Sequence, residues 1–116
     1  MDERQARVGE NEAVFRAVNE RIEALNEAFA VVTDTFEVVC ECGDSECVEQ
    51  ISITKDGYEH VRSDATLFIV APGHEAPNLE DIIEEHDEYS VVRKRPGLTQ
   101  RVAEETDPRQ PRRSAD

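Results

Sequence analysis

The chain reads as a small single α+β domain in which a long N-terminal amphipathic helix packs on a largely antiparallel sheet of about four strands. Two further helices and a hairpin held at its tip complete it. Three observations predict this. Apolar residues recur at helical spacing between residues 12 and 32, all three cysteines fall inside residues 40–47, and strand-like and helix-like runs then alternate up to residue 95. That order gives α-β-β-α-β-α-β, with no internal repeat, which is the pattern of one mixed layer domain rather than of a repeated βα unit.

The bounds are tight. At 116 residues the chain is one domain's worth, and a chain this short buries a modest share of its surface. Apolar residues make up 38% and aromatics 5%, with no Trp, so the core is thin and a stapling metal would replace missing apolar burial. The net charge is −14, unevenly spread: residues 1–92 hold 6 basic and 23 acidic groups, whereas residues 93–116 hold 7 basic and 4 acidic ones. An acidic body repels phosphate backbones, so duplex nucleic acid is not the expected partner of the folded part. No run approaches a membrane span, the N-terminus lacks the apolar stretch of a secretory signal, and an odd number of cysteines argues against a secreted disulfide framework. A reducing cytoplasm is the expected compartment.

Residues 1–10 are charged and aperiodic and read as a flexible N-terminal tail, with the folded domain over 11–95. Asn11 can cap a helix from Glu12 to about Val32. Phe15, Val18, Ile22, Leu25, Phe29 and Val32 fall on one face of it, at alternating steps of 3 and 4. Packing on the protein's own sheet is the first account of that stripe, and helix-mediated homodimerisation the second. Thr33-Asp34-Thr35 ends the helix. Phe36 to Cys42 and Val48 to Thr54 then read as the two strands of a hairpin, turned at Gly43-Asp44-Ser45, where Gly tolerates positive φ and Asp and Ser bond the local backbone. Thr54 is the N-cap of a short helix, Lys55 to Arg62, with Tyr58 and Val61 facing inward. Thr66 to Ala71 is a continuous apolar run that suits a central strand, ended by the Pro72-Gly73-His74 bend. Leu79, Ile82, Ile83 and His86 predict a helix over 79–88 behind an Asn78 cap, and Tyr89 to Arg95 a last strand. Residues 96–116 are polar, basic and Pro-punctuated, and are expected to be a disordered tail.

The cysteines carry the chemistry. Zinc takes four thiolate or imidazole ligands in a tetrahedron. Cys40 and Cys42 lie two apart, so on a strand both point to one face, and Cys47 follows across the turn. These are three corners of a site. His74, leaving its strand through a Pro-Gly bend, is the expected fourth ligand; His86 is the rival, and His60 falls off the inward face of its helix. Three thiolates and a neutral imidazole on zinc leave no open position for water, so the site is structural. Reduced, buried thiols without metal, or a Cys42–Cys47 redox pair beside Cys40, are the alternatives. Glu41, Asp44, Glu46 and Glu49 work against the redox pair by disfavouring a thiolate.

The pattern Phe36-x-x-x-Cys40-Glu-Cys42-Gly-Asp-x-x-Cys47, with Ile51-x-Ile-Thr, Pro72-Gly-His74, Tyr89-x-Val-Val and Glu105-Thr-Asp-Pro108, resembles a group of small uncharacterised proteins of actinobacterial type over residues 12–107. The resemblance implies no activity, substrate or partner. It does imply His74 rather than His86 as the fourth ligand, because Pro-Gly-His belongs to the shared pattern.

Catalytic signatures are missing from the sequence. There is no His-Glu-x-x-His helix, no Gly-rich phosphate loop and no Gly-x-Ser-x-Gly elbow, and no pair of carboxylates is set apart from the general acidity. The expected function is therefore that of a regulatory or structural zinc-binding protein acting through protein–protein contacts. A thiol sensor that loses zinc on oxidation is the alternative, and nucleic-acid contact through the basic tail alone is a third reading.

Overall fold

The second helix and the apolar strand form where the sequence places them; the hairpin forms too, but its strands stop at Val39 and resume at Gln50, so Cys40 and Cys42 lie in the connection rather than on a strand. A computed structural model of the chain describes residues 3–28 and 35–109. β1 (Thr35–Val39) pairs antiparallel with β2 (Gln50–Thr54), setting Phe36 opposite Ile53 and Val38 opposite Ile51, all four buried. The thiol-bearing residues 40–49 connect them. α2 (Lys55–Arg62) starts at Thr54, whose hydroxyl accepts from the Gly57 amide, and buries Tyr58 and Val61.

β3 (Leu67–Val70) is buried at every position. It is nevertheless not the middle strand. A second, three-stranded antiparallel sheet runs β3-β5-β4, with β4 at Glu80–Glu85 and β5 at Ser90–Lys94 in the centre. Glu41 closes the free edge of β3: its amide donates to the Ile69 carbonyl at 2.8 Å, and the Ile69 amide donates to its carboxylate at 3.0 Å. The hairpin is thereby joined to the sheet.

β4 corrects the helix expected over 79–88. Leu79, Ile82, Ile83 and His86 have helical spacing, but the segment pairs with β5, setting Glu80 opposite Lys94 and Asp81 opposite Arg93. Opposite charges facing each other across strands stabilise that register, and a helix would forgo them. The turn closes with the His86 amide donating to the Tyr89 carbonyl.

The chain ends also differ from expectation. α1 spans Glu3–Ala28, so residues 3–10 are helical rather than a tail, and a third helix, α3 (Leu98–Glu105), lies within the supposed disordered segment and packs on α1. Arg16 explains the docking, because its guanidinium donates to the Ala103 carbonyl at the C-terminal end of α3, to the Ala65 carbonyl, and to the Thr106 hydroxyl. A cation there meets the negative end of the helix dipole. Beyond α3, Arg109 pairs with Glu20, Glu23 and Glu59.

The largest correction concerns the face of α1. Glu12, Arg16, Asn19 and Glu23 are buried, whereas Val14, Val18 and Leu25 are 58%, 39% and 66% exposed. Phe15 and Ile22 sit at the boundary, and Phe29 and Val32 lie outside the described residues. The reason lies beneath the helix. Asn19 bonds both the carbonyl and the amide of Val39, and Arg16 serves two backbone carbonyls. An apolar stripe laid over these backbone groups would take away those bonds and leave the groups buried and unsatisfied. Lys94, reaching up from β5, bonds both Glu12 and Glu80, and Arg16, Arg62 and Lys94 all lie within 6.0 Å of the Phe68 ring centre.

One lysine between two buried carboxylates leaves an unbalanced charge. Burial outweighs the attraction of Lys94 and pushes the Glu12 carboxyl up to about 7 from 4.5. The folded state thus holds this proton more tightly than the unfolded chain. Its contribution favours folding below about pH 4.5 and is lost as the pH rises through about 7. Glu12→Gln, which cannot ionise, is expected to improve in stability relative to the native chain by roughly 3 kcal/mol between pH 4 and pH 8. Urea midpoints of the two proteins at the two pH values measure it; parallel curves would show that Glu12 keeps its charge.

Candidate metal centre

Four side chains from two segments converge beside the hairpin. Cys40, Cys42 and Cys47 come from the β1–β2 connection and His74 from the bend after β3, and their ligand atoms all lie within 4.8 Å of one another. His74 Nδ1 is 3.6 Å from both Cys40 Sγ and Cys47 Sγ. A tetrahedral zinc with Zn–S of about 2.3 Å and Zn–N of about 2.0 Å holds sulfur and nitrogen roughly 3.5 Å apart. The spacing is that of ligands around one ion, and all three cysteines are unpaired by disulfides.

Local chemistry explains how each ligand arrives. The Asp44 carbonyl accepts from the Cys47 amide at 3.0 Å and its side chain accepts from the Glu46 amide at 2.9 Å, folding the loop that returns Cys47 to its partners. His74 is presented by a turn in which its amide donates to the Ala71 carbonyl at 2.9 Å, with Pro72 at the second position and Gly73 at φ 85° at the third. That is the type II arrangement, which a side chain at Gly73 would strain. The Ala71 amide also donates to Cys40 Sγ at 3.1 Å, so β3 supplies both the turn and a donor that steadies a thiolate.

The alternation of Cys40, Glu41 and Cys42 matters as much as their identity. The two thiols meet His74, while the carboxylate between them is fully buried against Arg62, which reaches it through both terminal nitrogens at 2.7 and 2.9 Å. Asn19 donates to the same carboxylate at 2.7 Å. Each strong hydrogen bond that fixes Glu41 therefore also fixes the thiols on either side of it.

Without an ion the three thiols share protons unequally. Hydrogen bonding from Cys40, aided by the Asp44 amide and His74, pushes the Cys42 thiol down to about 5 despite its burial. Cys40 is raised by its hydrogen bond to Cys42 and by burial, and Cys47 is raised chiefly by burial. Cys42 is thus the thiol most disposed to ionise, and because a metal takes thiolates its entry would release protons from the cluster.

His86 does not join the cluster. It follows β4 on the surface, stacked on Tyr89 at 4.5 Å and bonded through Nε2 to Glu84 at 3.0 Å. His60 is exposed, as its position on α2 predicts, and bonds the same carboxylate. Two features of the centre escaped the sequence reading. Glu41 looked like one acid among many, although its place between two inward thiols was a signal. Gly43, which the turn would allow a positive φ, does not adopt one; only Gly73 and Gly97 do among the described residues. Its actual role is close approach: a Cβ there would lie 2.4 Å from Val8 Cγ1, and Asn11 donates to the Gly43 carbonyl.

No protein-family model, curated protein or solved structure matches the chain. No described helix is long and apolar enough to cross a membrane.

Because α1 rests on Gly43, Gly43→Ala is expected to cost about 1–3 kcal/mol, the usual cost of overpacking. Val8→Ala in the same chain removes the methyl at 2.4 Å but leaves the residue's Cβ and Cα at 3.0 and 3.2 Å, so it should restore only part of the loss. Denaturant unfolding of the single and double variants measures this; a Gly43→Ala chain as stable as the native one would show that α1 does not bear on the thiol loop.

Proposed function

We propose that the chain is a small zinc-stabilised module that acts by binding another protein, with a structural rather than a catalytic metal. The observation that carries this reading is the closed ligand set: three sulfurs and one imidazole nitrogen, with Nδ1 at 3.6 Å from two of the thiols. Three thiolates and an imidazole fill a tetrahedron, leaving no position at which zinc could activate water. Soft sulfur ligands with one imidazole suit zinc better than a hard cation such as magnesium or calcium. Reduced cysteines at the centre fit a reducing compartment such as the cytoplasm.

The partner-binding part of the proposal rests on α1. Its buried face is polar, and its outward stripe of Val14, Val18 and Leu25 is left with no covering group among the described residues. An exposed apolar row on a long helix, flanked by charged residues, is a common way for one protein to meet another. The acidic chain, at −14 overall, favours a basic rim on that partner and disfavours nucleic acid.

Protein purified without added metal is expected to carry one zinc per chain by elemental analysis. Cys42→Ser or His74→Ala should lose the zinc and much of the folding stability, while His86→Ala keeps both, because metal-binding energy is folding energy in small domains. A metal-free native chain with unchanged stability in both variants would sink the zinc reading.

For the interface, Val18→Asp with Leu25→Asp should retain zinc and helicity and abolish stoichiometric association, read by analytical ultracentrifugation of the chain alone and by co-purification from its native cells. Association unaffected by the two aspartates, or a native chain that stays monomeric and retrieves no stoichiometric partner, would refute a role for this face.

A further inference from the structure

We propose that Glu20 and Glu23 of α1 and Glu59 of α2 form a guanidinium receptor, closed in the free chain by its own Arg109 and opened to an arginine on a protein partner. This rests on the partner-binding reading above and names the chemistry that such a partner presents. Two carboxylates read the two edges of the guanidinium. Glu20 takes Nε and Nη2 at 2.7 and 3.0 Å, and Glu59 takes Nη1 and Nη2 at 2.7 and 2.9 Å. Paired two-point bonds of this kind select the planar fork of arginine over the point charge of lysine. Tyr58, fully buried, steadies the receptor by donating its hydroxyl to Glu20 Oε1 at 2.9 Å.

The receptor offers more than Arg109 satisfies. Nη2 carries two hydrogens yet meets three carboxylates, the third through Glu23 Oε1 at 2.9 Å. Glu23 is 6% exposed, and its other oxygen, Oε2, is buried with no hydrogen-bond partner. Burial and the neighbouring Glu59 push its carboxyl up to about 7, although Arg109 and Lys55 both draw it down. A buried acceptor left without a donor is costly, and here it faces the place where a cation already sits.

The occupant hangs on a short strap. Thr106 anchors it, its hydroxyl accepting from Arg16 and donating to the Val102 carbonyl, and three residues later the Arg109 amide donates to the Asp107 carboxylate. Pro108 and Arg109 are exposed while Tyr58 and Arg16 are buried, so the guanidinium can leave without uncovering the core. Such a strap is an internal competitor, because a short tether presents its ligand at an effective concentration on the order of millimolar. It raises the threshold that an incoming arginine must exceed. A free amino acid is disfavoured, since its own carboxylate would meet Glu20 and Glu59; the fitting ligand is an arginine within a peptide chain.

NMR titration of the full chain with the capped tripeptide Gly-Arg-Gly tests the exchange, at low ionic strength because salt screens exposed pairs. Arg109→Ala should bind the peptide with shifts at Tyr58 and Glu59, roughly fivefold or more tightly than it binds the same peptide with Lys for Arg. The native chain should show the same shifts and bind several times more weakly. Arg109→Lys, which keeps the charge of the strap but not its fork, should fall between them, and it carries the comparison if circular dichroism shows Arg109→Ala unfolded. Adding Glu59→Gln to either variant should weaken binding about tenfold, as the loss of one partner of a charge pair does. The proposal is overturned if the folded variants bind no peptide, if arginine and lysine peptides bind alike, or if the native chain binds as tightly as Arg109→Ala. It is equally overturned if the native chain shows no shift at a concentration that saturates the variant, since the receptor is then only an internal clamp. The apolar stripe of α1 is tested separately by its two aspartates, so this exchange can fail while the partner reading stands.

Discussion

Glu41 is the residue on which the rest of this structure leans. It is fully buried, and its two oxygens receive Arg62 in a two-point bond, the Asn19 amide and the Ile69 amide. A buried carboxylate survives only where its charge is paired and its lone pairs are taken up, and both conditions hold here. Its partners lie on α2, α1 and β3, and its own backbone continues β1. Removing Arg62 would leave an uncompensated charge at the junction of four elements, a loss on the order of 3–5 kcal/mol. The thiol cluster inherits this rigidity, because Cys40 and Cys42 flank Glu41 and cannot move without it.

The same logic accounts for α1. In an acidic chain with 13 basic residues, Arg16, Arg62 and Lys94 are all buried, and each answers carboxylates or carbonyls that would otherwise be stranded. The helix is docked by directional bonds and by cations against the Phe68 ring, with Arg16 at 4.7 Å and Lys94 at 5.1 Å. Contacts of this kind fix one orientation of the helix, where an apolar stripe would allow sliding and rotation. They also release the apolar stripe to the outside, so the interaction surface proposed for this protein follows from the polarity of its interior.

The cluster of Cys40, Cys42, Cys47 and His74 was legible because cysteine is scarce here and its spacing is chemically constrained; three thiols with a Pro-Gly-His bend left few arrangements. The hairpin, α2 and β3 were legible because alternation, a Thr cap and an unbroken apolar run each have one simple reading. α1 was legible as a helix but not in its orientation: Glu12, Arg16, Asn19 and Glu23 step by 4, 3 and 4, as regular a stripe as Phe15, Val18, Ile22 and Leu25. Periodicity alone cannot choose between two stripes when the surface beneath is polar. β4 was misread because Leu79, Ile82 and His86 mimic a helical face, while the signal that decides it, Glu80 and Asp81 against Lys94 and Arg93, lies across strands. α3 was hidden because its anchor, Arg16, is distant in sequence from Ala103.

These corrections bear on what the proposed metal would do for the chain. Its apolar cluster runs from Phe36 through the two sheets to Ala103 and includes Cys40 and Cys42 as members. Thiols that pack as apolar groups and also converge on His74 make the cluster part of the core rather than an attachment to it. The ion pairs lie under α1, and one of them, Glu41 with Arg62, sits between two of the thiols. A zinc ion at this cluster, as proposed above, would share with the paired charges the work that a larger domain assigns to hydrophobic burial. With the interior held by bonds of fixed direction, the few remaining large apolar side chains of α1 can be spent on the surface, where a partner can reach them.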